Sequence, residues 1–524
     1  MPYKLPSELG NSGDLLKRFG RVSGRRSLWS GYLQDAFRYT APNRDTFFEK
    51  TKGQSRHREI YDSTAILAAR RYVGRLQAMM MPAWGEWSVL TPGSDYENTP
   101  DADQISEALE DITKMMFRYV NHSNFYHLLP DSLRDMSIST GAIRIDMGDE
   151  VNPFRCTVDT LSALHFEEGP NGIIENVWRE PKISIGVLER EYPGLEIPSQ
   201  WQDKKQNKPD WEPKIIEGSL YVEEKDEYWS FVISQDEKQL LWCQLNGKGR
   251  GANPWVVFRD DKIPGEILGR GPALHCLNDV LTANKMVEFE LRNAALATAG
   301  AWTAVNDGVL NPYTAQVKPG SMIPVGSNSN TNPSLRALER SGDFSVSNLL
   351  LDRLQNNIKT AFLNSLRRAA GPVKSATEIS IDDRDLMMEE HAAFGRLQTE
   401  LVQRCVERFL YILAELGMIP KFEVDGREVT IKHTSPLSKV QDQNELESII
   451  KYFEVGMATV GPEVMMATTR MEEVPDAIAK RVGLPQSLLR DEAETQSMIQ
   501  AAAQATDPNA PMQGEVPMEG EVIQ

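Results

Sequence analysis

The chain has 524 residues, of which 40% are apolar and 25% charged, and it carries a formal net charge of −18. A chain of this length buries several cores and divides into roughly two to four domains, and its apolar share excludes a wholly disordered protein. The acidic balance argues against a protein that grips nucleic acid through many phosphate-neutralising cations; it does not argue against a wall past which nucleic acid slides, because a negative surface offers phosphate no deep site.

The charge is unevenly placed. Residues 1–75 hold fifteen Lys/Arg against seven Asp/Glu, a net of +8, whereas residues 441–524 hold five against fifteen, a net of −10. No uncharged apolar run reaches the ~18 residues of a membrane-spanning helix. The start Met1-Pro2-Tyr3-Lys4-Leu5-Pro6 has no apolar core of a signal peptide, so a soluble, cytosolic product is expected. Cys156, Cys243, Cys276 and Cys405 are far apart without CxxC spacing, and the seven histidines are scattered, so free buried thiols and no zinc site are expected.

The first forty residues read as a helix with a basic, partly aromatic face: Lys17, Arg18, Arg21, Arg25 and Arg26, then Trp29, Tyr32 and Phe37. That face suits solvent, an acidic neighbouring subunit or packaged nucleic acid. Ile66, Ala69, Val73, Leu76 and Met80 predict an amphipathic helix over 61–81, ended by Pro82 and followed by a strand at Trp87-Ser88-Val89-Leu90. Met79, Met80 and Met81 read as core filler. An acidic linker covers 93–104. Helices are predicted at 104–121 and 124–139, then a strand at Ala142–Ile145.

Over 150–260 the pattern turns to short β-rich runs: 154–158, 165–168 and 173–178, the last two joined through the turn signal Asn171-Gly172. A second antiparallel set is predicted at 220–222, 228–233 and 240–243, with Ser199–Lys214 between the sets as a surface loop. A helix is predicted to start at Gly271-Pro272, with proline at the favourable first position, and to run through Leu296 into the small-residue stretch 293–301. Small residues there suit close approach of neighbouring backbones or a buried helix end. Residues 326–333 form a polar loop.

Two long helices follow. Val346, Leu350, Leu354, Ile358, Phe362 and Leu366 recur every four positions, and Phe394, Leu397, Leu401, Cys405, Phe409 and Leu413 every three or four. Gly371 and Pro372 stop the first helix, and Ser375 with Glu378 forms a capping box for the second. A helix from 377 to 416 is far longer than the ~11–12-residue average and suits a large assembly. Phe422–Val424 and Val429–Ile431 predict a hairpin around Asp425-Gly426, helices fill 438–504, and the acidic tail 505–524 is expected to be disordered.

Motifs of catalysis are sparse. Gly247-Lys248-Gly249-Arg250-Gly251 lacks the spacing and hydroxyl of a phosphate loop, and neither HExxH nor GxSxG occurs. Asp382, Asp383 and Asp385, with Glu389 and Glu390, form a carboxylate cluster of the kind that holds two Mg²⁺ ions in nucleases. Arg384 sits inside it, and carboxylates in a first helical turn are favoured by the helix dipole alone.

Several runs resemble one family. Phe344-Ser345-Val346, Leu366-Arg367-Arg368 and Thr377-Glu378-Ile379, with Asn253-Pro254-Trp255-Val256-Val257-Phe258-Arg259 and Gly269-Arg270-Gly271-Pro272 upstream, are similar to the portal (head-to-tail connector) proteins of short-tailed, podovirus-type bacteriophages. The order of elements agrees over roughly Tyr61 to Leu489. The resemblance implies a helix-rich, mixed α+β portal fold with wing, stem, clip and crown regions, assembling into a ring of usually twelve subunits. Residues 1–149 would be a helical part of the wing, 150–260 a β-rich wing or clip module, and 270–341 the stem helix with a clip or stem segment. Residues 342–437 would hold the tunnel helix, tunnel loop and long wing helix, 438–504 the crown, and 505–524 the tail.

The resemblance further implies a virion component at the capsid vertex, assembled in the bacterial cytoplasm, through which double-stranded DNA is packaged and ejected. Its partners would be the terminase packaging motor, the major capsid or scaffolding protein and a tail adaptor, with no membrane, cofactor, metal or catalytic role. The channel would be lined at the tunnel loop by Gly371, Pro372 and Lys374, with Arg367 and Arg368 just upstream. Those two arginines fit pairing with acids of the next subunit, near a helix C-terminus, better than contact with DNA, whereas Lys374 suits either. The rival readings are another ring-shaped head-tail adaptor, against which size and the long helix argue, and a metal-dependent nuclease at Asp382, Asp383 and Asp385.

Overall fold

The structure is a computed structural model that describes residues 5–44, 58–299 apart from short gaps, 302–304, 335–337, 344–363, 391–422, 427–434 and 449–456, with isolated positions elsewhere up to 478. In chain order the helices are α1 (Ser12–Ser27), α2 (Ser30–Thr40), α3 (Thr64–Met80), α4 (Ala102–His122), α5 (Phe125–Ile138), α6 (Ile185–Glu191), α7 (Ser199–Asn207), α8 (Pro272–His275), α9 (Leu277–Ala299), α10 (Phe344–Ala361), α11 (His391–Leu397) and α12 (Gln403–Glu415). The strands are β1 (Ser88–Pro92), β2 (Thr140–Met147), β3 (Phe154–Thr157), β4 (Leu164–Glu168), β5 (Ile174–Arg179), β6 (Ile215–Val222), β7 (Glu227–Ser234), β8 (Leu240–Lys248), β9 (Trp255–Arg259), β10 (Trp302–Ala304), β11 (Leu335–Ala337) and β12 (Val429–His433). They form two compact units: Met1–Trp87 with Met115–Lys421, and Ser88–Lys114 with Phe422–Gln524.

In the first unit β4 to β8 form an antiparallel five-stranded sheet in sequence order. Because successive side chains of a strand point to opposite faces, this sheet supports two cores. Ile216, Leu220, Val222, Phe231 and Ile233 face α1, which buries Leu15, Phe19 and Val22 against them. Ile215, Val232 and Leu241 face Ile185, Leu188, Tyr192 and Trp201. The last contact corrects the loop expected over Ser199–Lys214: Ser199–Asn207 is a helix, and Trp201 is only 1% exposed. One buried indole in an otherwise polar run is too weak a period to announce a helix, yet its burial is enough to dock one.

The basic N-terminal segment is two helices rather than one. α1 is capped by the Asn11 side chain, which accepts from the Asp14 backbone N–H at 3.0 Å, and α2 restarts at Ser30. The second sheet has the order β3-β2-β9, all antiparallel, with Ile143 opposite Val256 and Ile145 opposite Cys156. The division expected at 149/150 falls inside this sheet. Phe409 of α12 packs its ring 5.4 Å from Phe125 of α5 and 4.6 Å from Phe154 of β3. The helix expected from 271 onward breaks once, at Cys276, between α8 and α9. Beyond it β10 pairs antiparallel with β11, Trp302 opposite Ala337.

In the second unit β1 pairs antiparallel with β12, from Ser88 opposite His433 to Pro92 opposite Val429. This corrects the expected hairpin: neither Phe422 nor Val424 lies in a strand, and the partner of Val429–His433 comes from the far end of the sequence. The Leu90 backbone N–H donates to the Thr113 hydroxyl at 3.2 Å, tying β1 to the part of α4 in this unit.

Candidate functional site

The residues expected to line a channel, Arg367, Arg368, Gly371, Pro372 and Lys374, lie outside the described residues, as does the carboxylate cluster of Asp382, Asp383 and Asp385. What the structure describes is the frame from which that segment leaves and to which it returns. α10 ends at Ala361, before the stop expected at Gly371 and Pro372, and Leu363 takes the left-handed conformation (φ 56°). Three contacts hold this end. The fully buried Phe362 ring stands edge-on to Tyr72 at 6.1 Å, Ile358 is buried, and Arg75 of α3 donates to the Leu363 carbonyl at 2.8 Å.

On the return side α11 is pinned to the end of β9. Arg396 donates to the Asp260 carbonyl at 3.0 Å and approaches the Asp261 carboxylate at 3.5 Å. The Asp260 carboxyl, near the Tyr72 hydroxyl at 3.4 Å, is pushed up by burial to about 6. After α11 the helix widens into a π-turn over Gln398–Val402, in which the Gln403 N–H reaches back to the Gln398 carbonyl. Turns of this kind interrupt helices at positions under local constraint, and here the constraint is visible: Glu400 of the turn meets Arg259.

Arg259 is 1% exposed. Its backbone N–H and Nε both donate to Glu400 Oε2, at 3.0 and 3.3 Å, and its second terminal nitrogen donates to Oε1 at 2.7 Å. It also donates to the carbonyls of Gly172 and Ile267, at 2.8 and 3.1 Å, and to Glu168 at 3.3 Å, while Lys262 pairs with the same Glu168. One guanidinium therefore joins β9, the β4–β5 turn and the returning helix, using the planar fork that makes arginine suited to bidentate carboxylates. Gly172 supplies its carbonyl from a left-handed turn position (φ 74°).

The run Gly269-Arg270-Gly271-Pro272 sets where α8 and α9 begin. A Cβ at Gly271 would lie 2.3 Å from the Ser137 carbonyl oxygen, and one at Gly269 2.8 Å from that of Ser139. The close approach lets the Gly271 N–H donate to the Ile138 carbonyl at 3.0 Å and the Ser139 hydroxyl to the Gly269 carbonyl at 2.8 Å. Arg270 forms a two-pronged pair with Glu266 and lies over the Trp29 ring at 5.1 Å. Farther along α9, the buried Asn284 side chain accepts from the Tyr61 and Asp62 N–H groups at 2.6 and 3.0 Å. Residues 291–295 are exposed within this chain, and the burial of 296–301 lies outside the described residues.

The glycines of Gly247–Gly251 have a packing role. A Cβ at Gly247 would overlap the Tyr411 hydroxyl, and one at Gly251 would lie 2.9 Å from the Tyr411 Cβ. Arg408, one turn earlier, donates to the carbonyls of Ile145, Gly251 and Ala252 at 2.9, 2.9 and 3.2 Å. Burial lowers its pKa to about 10. Where the two sheets meet, Arg144 and Arg179 share the carboxylates of Glu191 and Glu217, Arg179 reaching Glu217 at 2.8 Å. These buried charges are compensated by opposite charge or carbonyls, as burial demands.

The four cysteines are free and buried, and burial pushes the thiols of Cys156 and Cys276 up to about 12 and that of Cys405 well above its ordinary range. Thiols held protonated are poor nucleophiles. Among the described residues no group of three or more His, Cys, Asp or Glu is placed to hold a metal, and no helix is long and apolar enough to cross a membrane. The sequence singled out the Arg259 run by resemblance and Gly271-Pro272 also as a helix start; the partners Glu400, Glu168 and Ser137 carry no local signal, being distant in the chain.

The chain matches the family described as bacteriophage head to tail connecting protein over residues 12–489. It is 22% identical over 488 residues to the probable portal protein of Bordetella phage BPP-1, a likeness covering 86% of this chain and 84% of that protein. Among solved structures it is similar to a chain of the virion of a native gene transfer agent particle, with a TM-score of 0.36, 11% identity and coverage of 83% and 96% of the two chains. A chain from the neck of an empty particle of that kind gives a TM-score of 0.34 at 12% identity, again covering 83% and 96%.

Proposed function

The chain belongs to the family of bacteriophage head to tail connecting proteins, and from that premise we propose that copies of it close into a ring, twelve by family resemblance, at one vertex of the capsid. It is a portal, a structural component of the phage virion. The observation that carries this reading is the continuous family match from residue 12 to residue 489. The ring passes double-stranded DNA inward during packaging and outward during ejection, docking the terminase motor first and the tail adaptor afterwards, with the capsid or scaffolding protein around it.

In this proposal α9 is the stem helix, α10 leads into the tunnel loop, and the helix returning through α11 and α12 is the wing helix. Gly371 and Pro372 shape the loop, and Lys374, with Arg367 and Arg368 upstream, meets the DNA backbone or the next subunit. The five-stranded sheet is covered on both faces by helices of its own chain, which supports placing it in the wing. The clip then falls to the segment between β10 and β11, and the helices of 438–504 to the crown inside the capsid. Exposure of Phe289 and Leu291 on α9 and of Leu349 and Leu350 on α10 supports burial of these helices by neighbouring subunits.

Native mass spectrometry of the purified protein tests the proposal. A mass that is a single large multiple of the 58.9 kDa chain is expected. A monomer that persists when capsid and scaffold proteins are supplied overturns it.

A further inference from the structure

We propose that the outward face of α1 docks the acidic segment 491–524 of a second copy of this chain. α1 sorts its cations by position. Arg18 is spent on Glu167 of β4 and Arg26 is largely buried, its pKa lowered to about 10 by that burial. Along the exposed side of the helix Lys17, Arg21, Arg25 and Leu28 follow at intervals of four, four and three, one stripe. Arg21 and Arg25 are exposed and have no side-chain partner among the described residues, and Lys17 meets only the exposed Asp14, at 3.4 Å. Leu28 is 85% exposed at the end of the stripe.

Gly20 and Gly24 lie between these residues, and a Cβ at either would meet nothing within 4 Å. The chain's own packing does not call for glycine there, and glycine weakens a helix relative to alanine. What the two positions provide is backbone open to close approach alongside three exposed cations.

The occupant follows from charge. Segment 491–524 has seven Asp/Glu and no Lys, Arg or His, and Asp491, Glu492 and Glu494 are followed closely by Met498 and Ile499. Carboxylates answer the cations, and the apolar pair answers Leu28. Duplex DNA fits less well: three cations on a chain of net charge −18 are few against a phosphate backbone, and phosphate offers Leu28 no apolar complement. A basic patch on one copy meeting an acidic segment of another is also a heterologous contact, the kind that closes rings. The inference goes beyond the portal reading, since it holds for any oligomer of this chain.

The test uses full-length protein assembled from a mixture of ¹⁴N- and ¹⁵N-labelled chains, coupled with a zero-length amine–carboxylate cross-linker and digested for mass spectrometry. Links from Lys17 to Asp491, Glu492 or Glu494 in isotopically mixed pairs are expected. They should fall roughly tenfold in the Arg21→Glu, Arg25→Glu double variant and at high salt, as exposed ion pairs do. They should return when Glu492→Lys and Glu494→Lys are added to that variant, with far-UV circular dichroism unchanged throughout. Links found only in isotopically pure pairs, no links to the segment, or links displaced by duplex DNA that itself attaches at Lys17 would each overturn the proposal.

Discussion

Glu400 receives three N–H groups from one residue, Arg259: its backbone N–H and two guanidinium nitrogens, all within 3.3 Å. The π-turn turns Glu400 toward β9 at the point where the returning helix crosses that strand. Removing the carboxylate leaves a guanidinium with 1% exposure and only Glu168 as counter-ion, at 3.3 Å. Glu400→Ala is expected to cost about 3 kcal/mol, because a buried charge loses its main partner, and Glu400→Gln less. Urea unfolding of the purified variants measures both; an effect of Glu400→Ala below about 0.5 kcal/mol, the range of neutral surface changes, would contradict this role.

Gly74 and Gly271 predict opposite outcomes for the same substitution. Gly74 is exposed in the middle of α3 and a Cβ there would meet nothing within 4 Å, so Gly74→Ala is expected to stabilise the protein by roughly 0.5–1 kcal/mol. A Cβ at Gly271 would lie 2.3 Å from the Ser137 carbonyl oxygen, a backbone atom. Gly271→Ala is therefore expected to destabilise by at least about 2 kcal/mol or to abolish folding. Thermal melts of the two variants beside the parent decide the sign of each.

Asp260 sets a pH dependence. Burial raises its carboxyl from 3.8 to about 6, so the folded state favours the neutral form. Its favourable contribution is complete below about pH 4 and is lost as the pH rises through about 6. Asp260→Asn, neutral at every pH and able to accept from Tyr72, is expected to match the parent near pH 4 and to exceed it by roughly 2–3 kcal/mol at pH 8. Denaturant midpoints measured from pH 4 to 8 check this, and a constant gap between the two proteins would contradict it.

The buried thiols predict slow chemistry. With Cys156 and Cys276 raised to about 12 and Cys405 higher still, the native protein is expected to leave a thiol-titrating disulfide reagent almost unconsumed, and the denatured protein to consume one equivalent for each of its four cysteines.

Much of the secondary structure is legible in the sequence because it rests on local periodicity. The apolar spacing Ile66, Ala69, Val73, Leu76, Met80 foretells α3, and Asn171-Gly172 foretells the β4–β5 turn. The failures share one cause, partners remote in the chain. β12 lacks its expected hairpin partner because Ser88–Pro92 takes that edge. α7 is invisible until the β6–β7–β8 face gives Trp201 somewhere to bury. The glycines of Gly247–Gly251 lack the spacing and hydroxyl of a phosphate loop in the sequence, and their reason comes only from Tyr411, 160 residues on, which fills the space they leave. The frame of the candidate site obeys the same rule: Arg259 stands out in a short motif, but its role depends on Glu400, which no local pattern connects to it.

The central claim, that this chain forms a ring whose channel is lined by the segment containing Gly371, Pro372 and Lys374, is tested most directly by single-particle electron microscopy of the assembled oligomer. The account predicts a closed ring with an axial hole, with the segment joining α10 to α11 at the narrowest part of that hole. A closed ring carrying this segment on its outer rim, away from the axis, would contradict it.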